Sequence, residues 1–465
     1  MSERAALVAA VASAPADDLP KLVFADWLDE NGEPERAEFV RLQVAALQDA
    51  RQSPPVPDPA KFARTRELFF DHYRDWLRPV CEPFGQPISA TSLPPPPKPS
   101  LLGRIARGLR RVVNPSADRP APVADDDIKV DSLGALYRFP RSEPLTSVWL
   151  SGGFVRCLHL ALDRLPPDIT PAVAMAAEPI DTLYLSCSAA TAGWRRFDGP
   201  HLGRVRQVTP SFAVRSGADF RPLAEALCGS AHWHQLCELD LLRCPATVFE
   251  VLSVSPLARQ LTALKMNGTA EEWELLTCSS SPFHALRNLG FLLYGDRAER
   301  IERIRVAESF RGRMADLSVG VDSSVDSADE VSVDWLTTGS AWEKLDTLAL
   351  FKVRMGDAGM TAIADSGVFP ALSNLSLFGT EVSDDGAIAL ARSPLVERIK
   401  WLNLKGNPIG REGAWALAGS LERGLGRVHL SGDPSLISTR TQDQLVARFG
   451  HRIRFFAPGQ RPDRR

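Results

Sequence analysis

The sequence predicts an α/β solenoid, parallel strands with outer helices, preceded by a small all-α domain. Three observations predict it. A short apolar run recurs at one spacing: LDTLAL (345–350), LSNLSL (372–377) and IKWLNL (399–404) start 27 residues apart, weakening to LGRVHL at 425–430. The intervening stretch recurs as well. GDAGMTAIA (356–364), SDDGAIALA (383–391) and GREGAWALA (410–418) bring Gly359, Gly386 and Gly413 into coincidence, as they do Ala362, Ala389 and Ala416. Within each unit the apolar period changes from two residues to helical spacing, so one unit is a strand followed by a helix. Self-similarity at this period marks a stacked array.

The strand half explains itself through side-chain alternation: Leu375 and Leu377 point inward, Asn374 and Ser376 outward. On the helix half, Ile363, Leu390 and Leu417 take the inner side, and Asp384 and Asp385 sit where negative charge meets the positive end of the helix dipole. The recurring Gly and Ala suit a close approach of helix to strand layer. One coil cannot hide its own leucines, so neighbours must stack. Each buried leucine then contributes roughly 1.5–3 kcal/mol.

The L-x-x-L-x-L run with a helix between resembles the leucine-rich repeat, in its ribonuclease-inhibitor-like form. That resemblance implies a curved solenoid whose strand face is concave and available to a partner.

At 465 residues and a formal charge of −3, the chain has no global basic character, and nucleic acid is not an expected partner. Its seven cysteines are an odd number without a C-x-x-C pair, which reads as buried thiols in a reducing compartment, the cytoplasm. No apolar run reaches the length of a membrane span. Arg4 followed by ALVAAVASA imitates a signal peptide, but the apolar part is short and follows Glu3. It reads instead as a helix with Leu7, Val8 and Val11 on one face.

Residues 1–80 then form a small helical domain. Asp17 or Asp18 caps a second helix bearing Leu19, Leu22, Val23, Trp27 and Leu28, which Asn31-Gly32 stops. Pro34 opens a third, with Phe39, Val40, Val44 and Leu47 inward, and a fourth carries Phe62, Leu68, Phe69, Tyr73, Trp76 and Leu77. LVFADWLDENGEPERAEFVRLQ (22–43) resembles the repeat-companion domain of some large-genome bacteria, and RELFFDHYRDWLRPV (66–80) and GGFVRCLHL (152–160) resemble its continuation. The resemblance implies a domain preceding a repeat array and carries over no established activity. Asp26, Arg36, Glu38 and Arg41 in this motif admit two readings, a carboxylate–guanidinium site or ion pairs holding the bundle around Trp27 and Phe39.

Residues 81–143 read as a Pro-rich linker, with PPPPKP at 94–99 and DDD at 125–127. Inside it, SLLGRIARGLRRVV (100–113) is basic and amphipathic, suited to an anionic membrane surface or simply to solvent. From 144 to 456 the solenoid continues, with degenerate strand cores at Val148–Leu150, Leu158–Leu160, Leu183–Leu185, Val205, Leu239–Leu241, Leu264–Met266, Leu289–Phe291 and Leu317–Val319. TQDQLVARFGHRIRFF (441–456) reads as a terminal cap, and 457–465 as a polar tail.

Catalysis has no visible carrier, since G-x-S-x-G, H-E-x-x-H and a phosphate-cradling loop are all missing. The chain is read as no enzyme and as needing no cofactor. Cys228, His232, His234, Cys237 and Cys244 are the densest ligand-like cluster, without zinc spacing. Asp322, Asp326, Asp329, Glu330 and Asp334 lack the glycine and spacing of a calcium loop. Arginines 297, 300, 303, 305, 311 and 313 among Glu299, Glu302 and Glu308 read as a solvated helix.

What remains is the strand face. Tyr184, Phe351, Phe378, Trp401, Asn403, Lys405 and His429 fall at outward positions, with Phe351, Phe378 and Trp401 on successive coils. Exposed aromatics with a polar surround suit a protein-binding hot spot. The expected function is a scaffold or regulator binding a protein partner on this face. The alternatives open at this point are a membrane-surface adaptor held by 100–113 and a regulatory subunit of a partner enzyme.

Overall fold

The computed structural model describes residues 2–51, 58–86, 128–130, 134–138, 144–188, 191–212, 219–293, 306–321 and 332–457. The basic segment 100–113, the proline run 94–99, the acidic residues Asp322, Asp326, Asp329 and Glu330, and the arginines at 297–305 lie outside them. The chain divides into two compact units, Met1–Leu236 and Cys237–Arg465.

The first unit opens with four helices, α1 (Glu3–Ser13), α2 (Leu19–Glu30), α3 (Pro34–Arg51) and α4 (Pro59–Cys81). Local chemistry sets their ends. Ser2 accepts the Ala5 N–H ahead of α1, Asp17 accepts that of Leu19 ahead of α2, and Asp58 accepts those of Ala60 and Lys61 ahead of α4. Past α2, Asn31 donates its amide to the Trp27 carbonyl and Gly32 turns left-handed. The inner face of α2 is Phe24, Ala25 and Leu28, whereas Leu19 and Val23 are exposed.

Among the described residues six strands follow: β1 (Ile128–Val130), β2 (Gly134–Arg138), β3 (Leu145–Ser151), β4 (Phe154–Ala161), β5 (Thr182–Cys187) and β6 (Gln207–Phe212). Two of them, β1 and β2, fall within the span expected to be linker. Pairing is antiparallel from β1 to β4 and parallel from β4 to β6. Connection length decides this. Gly152 and Gly153, both at positive φ, make a two-residue turn, so β3 and β4 form a hairpin and not the two coils expected there. Between β4 and β5 runs the helix Pro171–Ala177, long enough for a parallel crossover.

The helices share their core with this hairpin. Val8, Val11, Phe24, Leu28, Val40 and Val44 surround Phe154, whose ring lies 5.2 Å from that of Phe24. Gly153 is required at the junction, because a Cβ there would stand 2.6 Å from Val40 Cγ2.

The second unit is a repeat solenoid. Its strands are β7 (Glu238–Asp240), β8 (Ala263–Gly268), β9 (Asn288–Leu293), β10 (Asp316–Val321), β11 (Thr347–Phe351), β12 (Asn374–Phe378), β13 (Trp401–Asn403), β14 (Arg427–Ser431) and β15 (Ile453–Phe456). Each pairs in parallel with the next. Register puts Leu239, Leu264, Leu289, Leu317, Leu348, Leu375, Leu402, Val428 and Ile453 in one buried column. Leu348, Leu375 and Leu402 are therefore direct neighbours, as the 27-residue spacing requires.

Helices return the chain between strands. Gly356–Asp365, Asp384–Arg392 and Arg411–Arg423 are the regular ones, burying Ile363, Leu390 and Leu417. Two of the recurring glycines, Gly386 and Gly413, admit an acid from the preceding coil. Asp357 accepts the N–H groups of Ser383 (2.7 Å) and Gly386 (2.9 Å), and Asp384 those of Gly410 (2.7 Å) and Gly413 (2.9 Å). Each acid thus caps the helix of the following coil, and the glycine admits it. The turns are pinned by Asn407, which accepts from the N–H groups of Thr380 and Val382 and donates to the carbonyls of Leu377 and Leu404. The Arg452 guanidinium donates to the carbonyls of Leu421, Leu425 and Gly426, satisfying acceptors at and just past the C-terminal end of the Arg411–Arg423 helix.

Candidate protein-binding face

Alternation along β11 and β12 leaves Thr347, Ala349 and Phe351, then Asn374, Ser376 and Phe378, on the outer face. Phe351 and Phe378 are partners in register. Their rings stack 4.8 Å apart at 6°, and Phe351 keeps 41% of its surface exposed. Ala349 and Ser376 pair beside them, so a floor of small residues borders an aromatic ridge. The chain turns immediately after this ridge. Lys352 donates its N–H to the Phe378 carbonyl and Gly379 to that of Lys405, with Lys352, Gly379 and Gly406 all left-handed at φ 57°, 62° and 76°.

Trp401 does not extend the ridge. It pairs in register with Asn374, at the opposite end of the strand from Phe378, and stands edge-on to His429 at 5.8 Å. His429 in turn lies 4.9 Å from Phe456, and the Lys405 ammonium sits 4.0 Å over the Phe456 ring. Two residues expected to face outward are covered instead. Asn403 (2% exposed) donates to Ser376 Oγ at 2.9 Å and accepts the Lys405 N–H, while Lys405 (4% exposed) lays its stem under its neighbours to reach Phe456. Phe456 went unnoticed in the sequence because β15 follows β14 outside the 27-residue spacing. Its one signal was the alternating IRFF of the terminal cap.

Tyr184 belongs to the first unit. It stacks on His159 at 4.2 Å and is 37% exposed. Burial, reinforced by the positive charge of Arg138, pushes the His159 imidazole down to about 4, so it is neutral at physiological pH.

The motif acids and arginines of the helical region are each engaged. Arg41 bonds Asp26 (2.7 Å) and Asp29 (2.6 Å), and Arg64 grips Glu38 with two bonds of 2.8 Å. Arg36 is buried against Glu178 at 3.3 Å, 142 residues away in sequence, with its guanidinium 4.8 Å from the Trp76 ring. Burial raises the Glu178 carboxyl, a tendency opposed by Arg36 and by the Val155 N–H donated to it.

All seven cysteines are free thiols, and burial pushes those of Cys187 and Cys228 up to about 12. Among the described residues no three His, Cys, Asp or Glu side chains are grouped to hold a metal ion, the Cys228–Cys244 stretch included. Arg311 departs from the solvated reading of its segment. It is buried, donating to the carbonyls of Trp335 and Ser340 and lying 5.0 Å from the Trp342 ring. Among the described residues no helix is long and apolar enough to cross a membrane.

No family model matches the chain, and no curated protein does. Solved structures similar to it at low identity include the following two. One is a chain of the Rad7 and Elc1 complex in yeast, with 11% identity and a TM-score of 0.39, covering 66% of this chain and 81% of that one. The other is a protein from Bacteroides fragilis, with 12% identity and a TM-score of 0.29, covering 54% of this chain and 66% of that one.

Proposed function

We propose that this chain is a non-catalytic, leucine-rich repeat scaffold or regulator of ribonuclease-inhibitor type, whose helical region is a repeat-companion domain. It acts in the cytoplasm and binds a protein partner on the outer face of β11 to β15. The observation that carries this reading is the Phe351–Phe378 stack. A parallel aromatic pair left at the surface beside a floor of small residues is the composition of an interface centre. The free, buried thiols favour a reducing compartment, and the leucine column with its cross-coil helix caps favours the leucine-rich type. A regulatory subunit of a partner enzyme would use the same face.

The test is affinity purification from the native cell with wild type and a Phe351→Ala/Phe378→Ala variant of matched melting temperature. The variant should lose the partners that wild type retains. An unchanged partner set would remove this face from consideration.

A further inference from the structure

We infer that the segment bound on this face is acidic and carries an apolar side chain as its anchor. The inference rests on the protein-binding reading above and adds the partner's chemistry.

Charge is segregated along the strand face of the second unit. β7, β8 and β10 carry Glu238, Asp240 and Asp316 against the single cation Lys265, whereas TLALF, NLSLF, WLN, RVHLS and IRFF, the five strands from β11 to β15, contain no carboxylate. Arg427 and Arg454 stand on β14 and β15, Lys405 follows β13 and Lys352 follows β11. Two acids beside these strands keep their charge while accepting hydrogen bonds from neutral groups. Asp346 accepts from Ser373 and Asn374, and Asp433 accepts both the N–H and the hydroxyl of Ser435. Glu381 is exposed in the turn after β12, and it, Asp346 and Asp433 are the acids against which these cations must be weighed.

Lys352 gives the second observation. Its two counterparts in the following coils are glycines, yet a lysine is kept where left-handed backbone disfavours any side chain. Its stem lies over the next coil's turn, since a Cβ on Gly379 would be 3.7 Å from Lys352 Cγ. Glu381, in the turn after β12, shares this left-handed conformation at φ 63°, so the strain singles out Lys352 only together with its stem laid over Gly379.

Aromatics among cations also suit single-stranded nucleic acid, but that mode needs open ring faces for successive bases. Here Phe351 and Phe378 cover one face of each other, so successive bases cannot stack between them, and the outer surfaces and edges that remain suit a single apolar side chain.

Fluorescence anisotropy on the full chain tests this with four labelled probes. They are a short Asp/Glu peptide with a central Phe, the same peptide with a central Ala, a Lys peptide with a central Phe, and an oligothymidylate. The acidic Phe peptide should bind at least about tenfold tighter than the Lys peptide, and weaken with added salt. Lys352→Glu/Arg454→Glu should weaken it about tenfold, as should exchanging its Phe for Ala, with melting unchanged. Lys352→Gln/Arg454→Gln, milder for folding, should fall between. Tightest binding by the Lys peptide or the oligothymidylate overturns the inference, as does an acidic peptide that does not saturate or ignores charge reversal. If the acidic peptide fails while Phe351→Ala/Phe378→Ala still loses the cellular partners, only the chemistry assigned here is wrong. If those partners are also retained, the protein-binding reading falls with it.

Discussion

The carboxylate of Asp357 accepts the backbone N–H of Gly386 at 2.9 Å, across the boundary from one coil to the next. It also accepts the N–H and hydroxyl of Ser383, so one side chain closes the start of its neighbour's helix. Stacking in this solenoid is therefore specified by polar caps as well as by the leucine column.

The glycine is what the cap demands, and this reverses an ordinary expectation. Gly→Ala inside a helix is normally stabilising, by up to about 1 kcal/mol. Here a Cβ at position 386 would lie 2.5 Å from Asp357 Oδ1 and 2.9 Å from Val382 Cγ1. Gly386→Ala should destabilise by about 1–3 kcal/mol in urea unfolding. Asp357→Ala should cost about 1–2 kcal/mol, and the two losses should not add, since both remove the same cap. Additive losses, or a stabilised Gly386→Ala, would mean that the cap contributes little.

Lys352 supplies a change in the opposite direction. Its φ of 57° is shared by Gly379 and Gly406 at the equivalent turns, where glycine carries no Cβ penalty. Replacing Lys352 by Gly should raise stability by up to about 1 kcal/mol, offset in part by the freer unfolded chain. Gly379→Ala should lower it by a similar amount. The measurement is the urea midpoint at constant slope. Were Lys352→Gly destabilising, the lysine stem over Gly379 would be contributing more than its backbone strain costs.

These cases mark what was legible in the sequence. Alternation and a fixed spacing are local properties, so the column through Leu348, Leu375 and Leu402 and the pairing of Phe351 with Phe378 could be read directly. Trp401 was misplaced although the spacing was legible, since it stands 27 residues after Asn374 and only 23 after Phe378, and register accordingly sets it opposite Asn374. The burial of Asn403 and Lys405 depends on Ser376 and Phe456, which are brought near only by stacking. The cross-coil caps were hidden similarly: Asp384 announces a helix start, while its bonds to Gly410 and Gly413 belong to the next coil. The β3–β4 hairpin was legible in principle, since Gly152-Gly153 between two apolar runs only ten residues apart leaves no room for a coil.

His159 offers a test in the first unit. Stacked on Tyr184 and held near 4 by burial and then by Arg138, it stays neutral in the folded chain where an unfolded histidine would titrate at 6.5. The unfolded state therefore binds the extra proton between these values. The stabilisation is complete above pH 6.5 and is lost as pH falls toward 4, by at most about 1.4 kcal/mol per pH unit. Solvent at the partly open edge of the ring will reduce that slope. Carboxylates titrate in the same window, so the informative quantity is the difference between wild type and His159→Gln, whose stability should fall less steeply over this range. A proton NMR titration of the ring gives the direct reading: a midpoint well below 6 is expected, and one at or above 6.5 would show that the stacked imidazole accepts charge without cost.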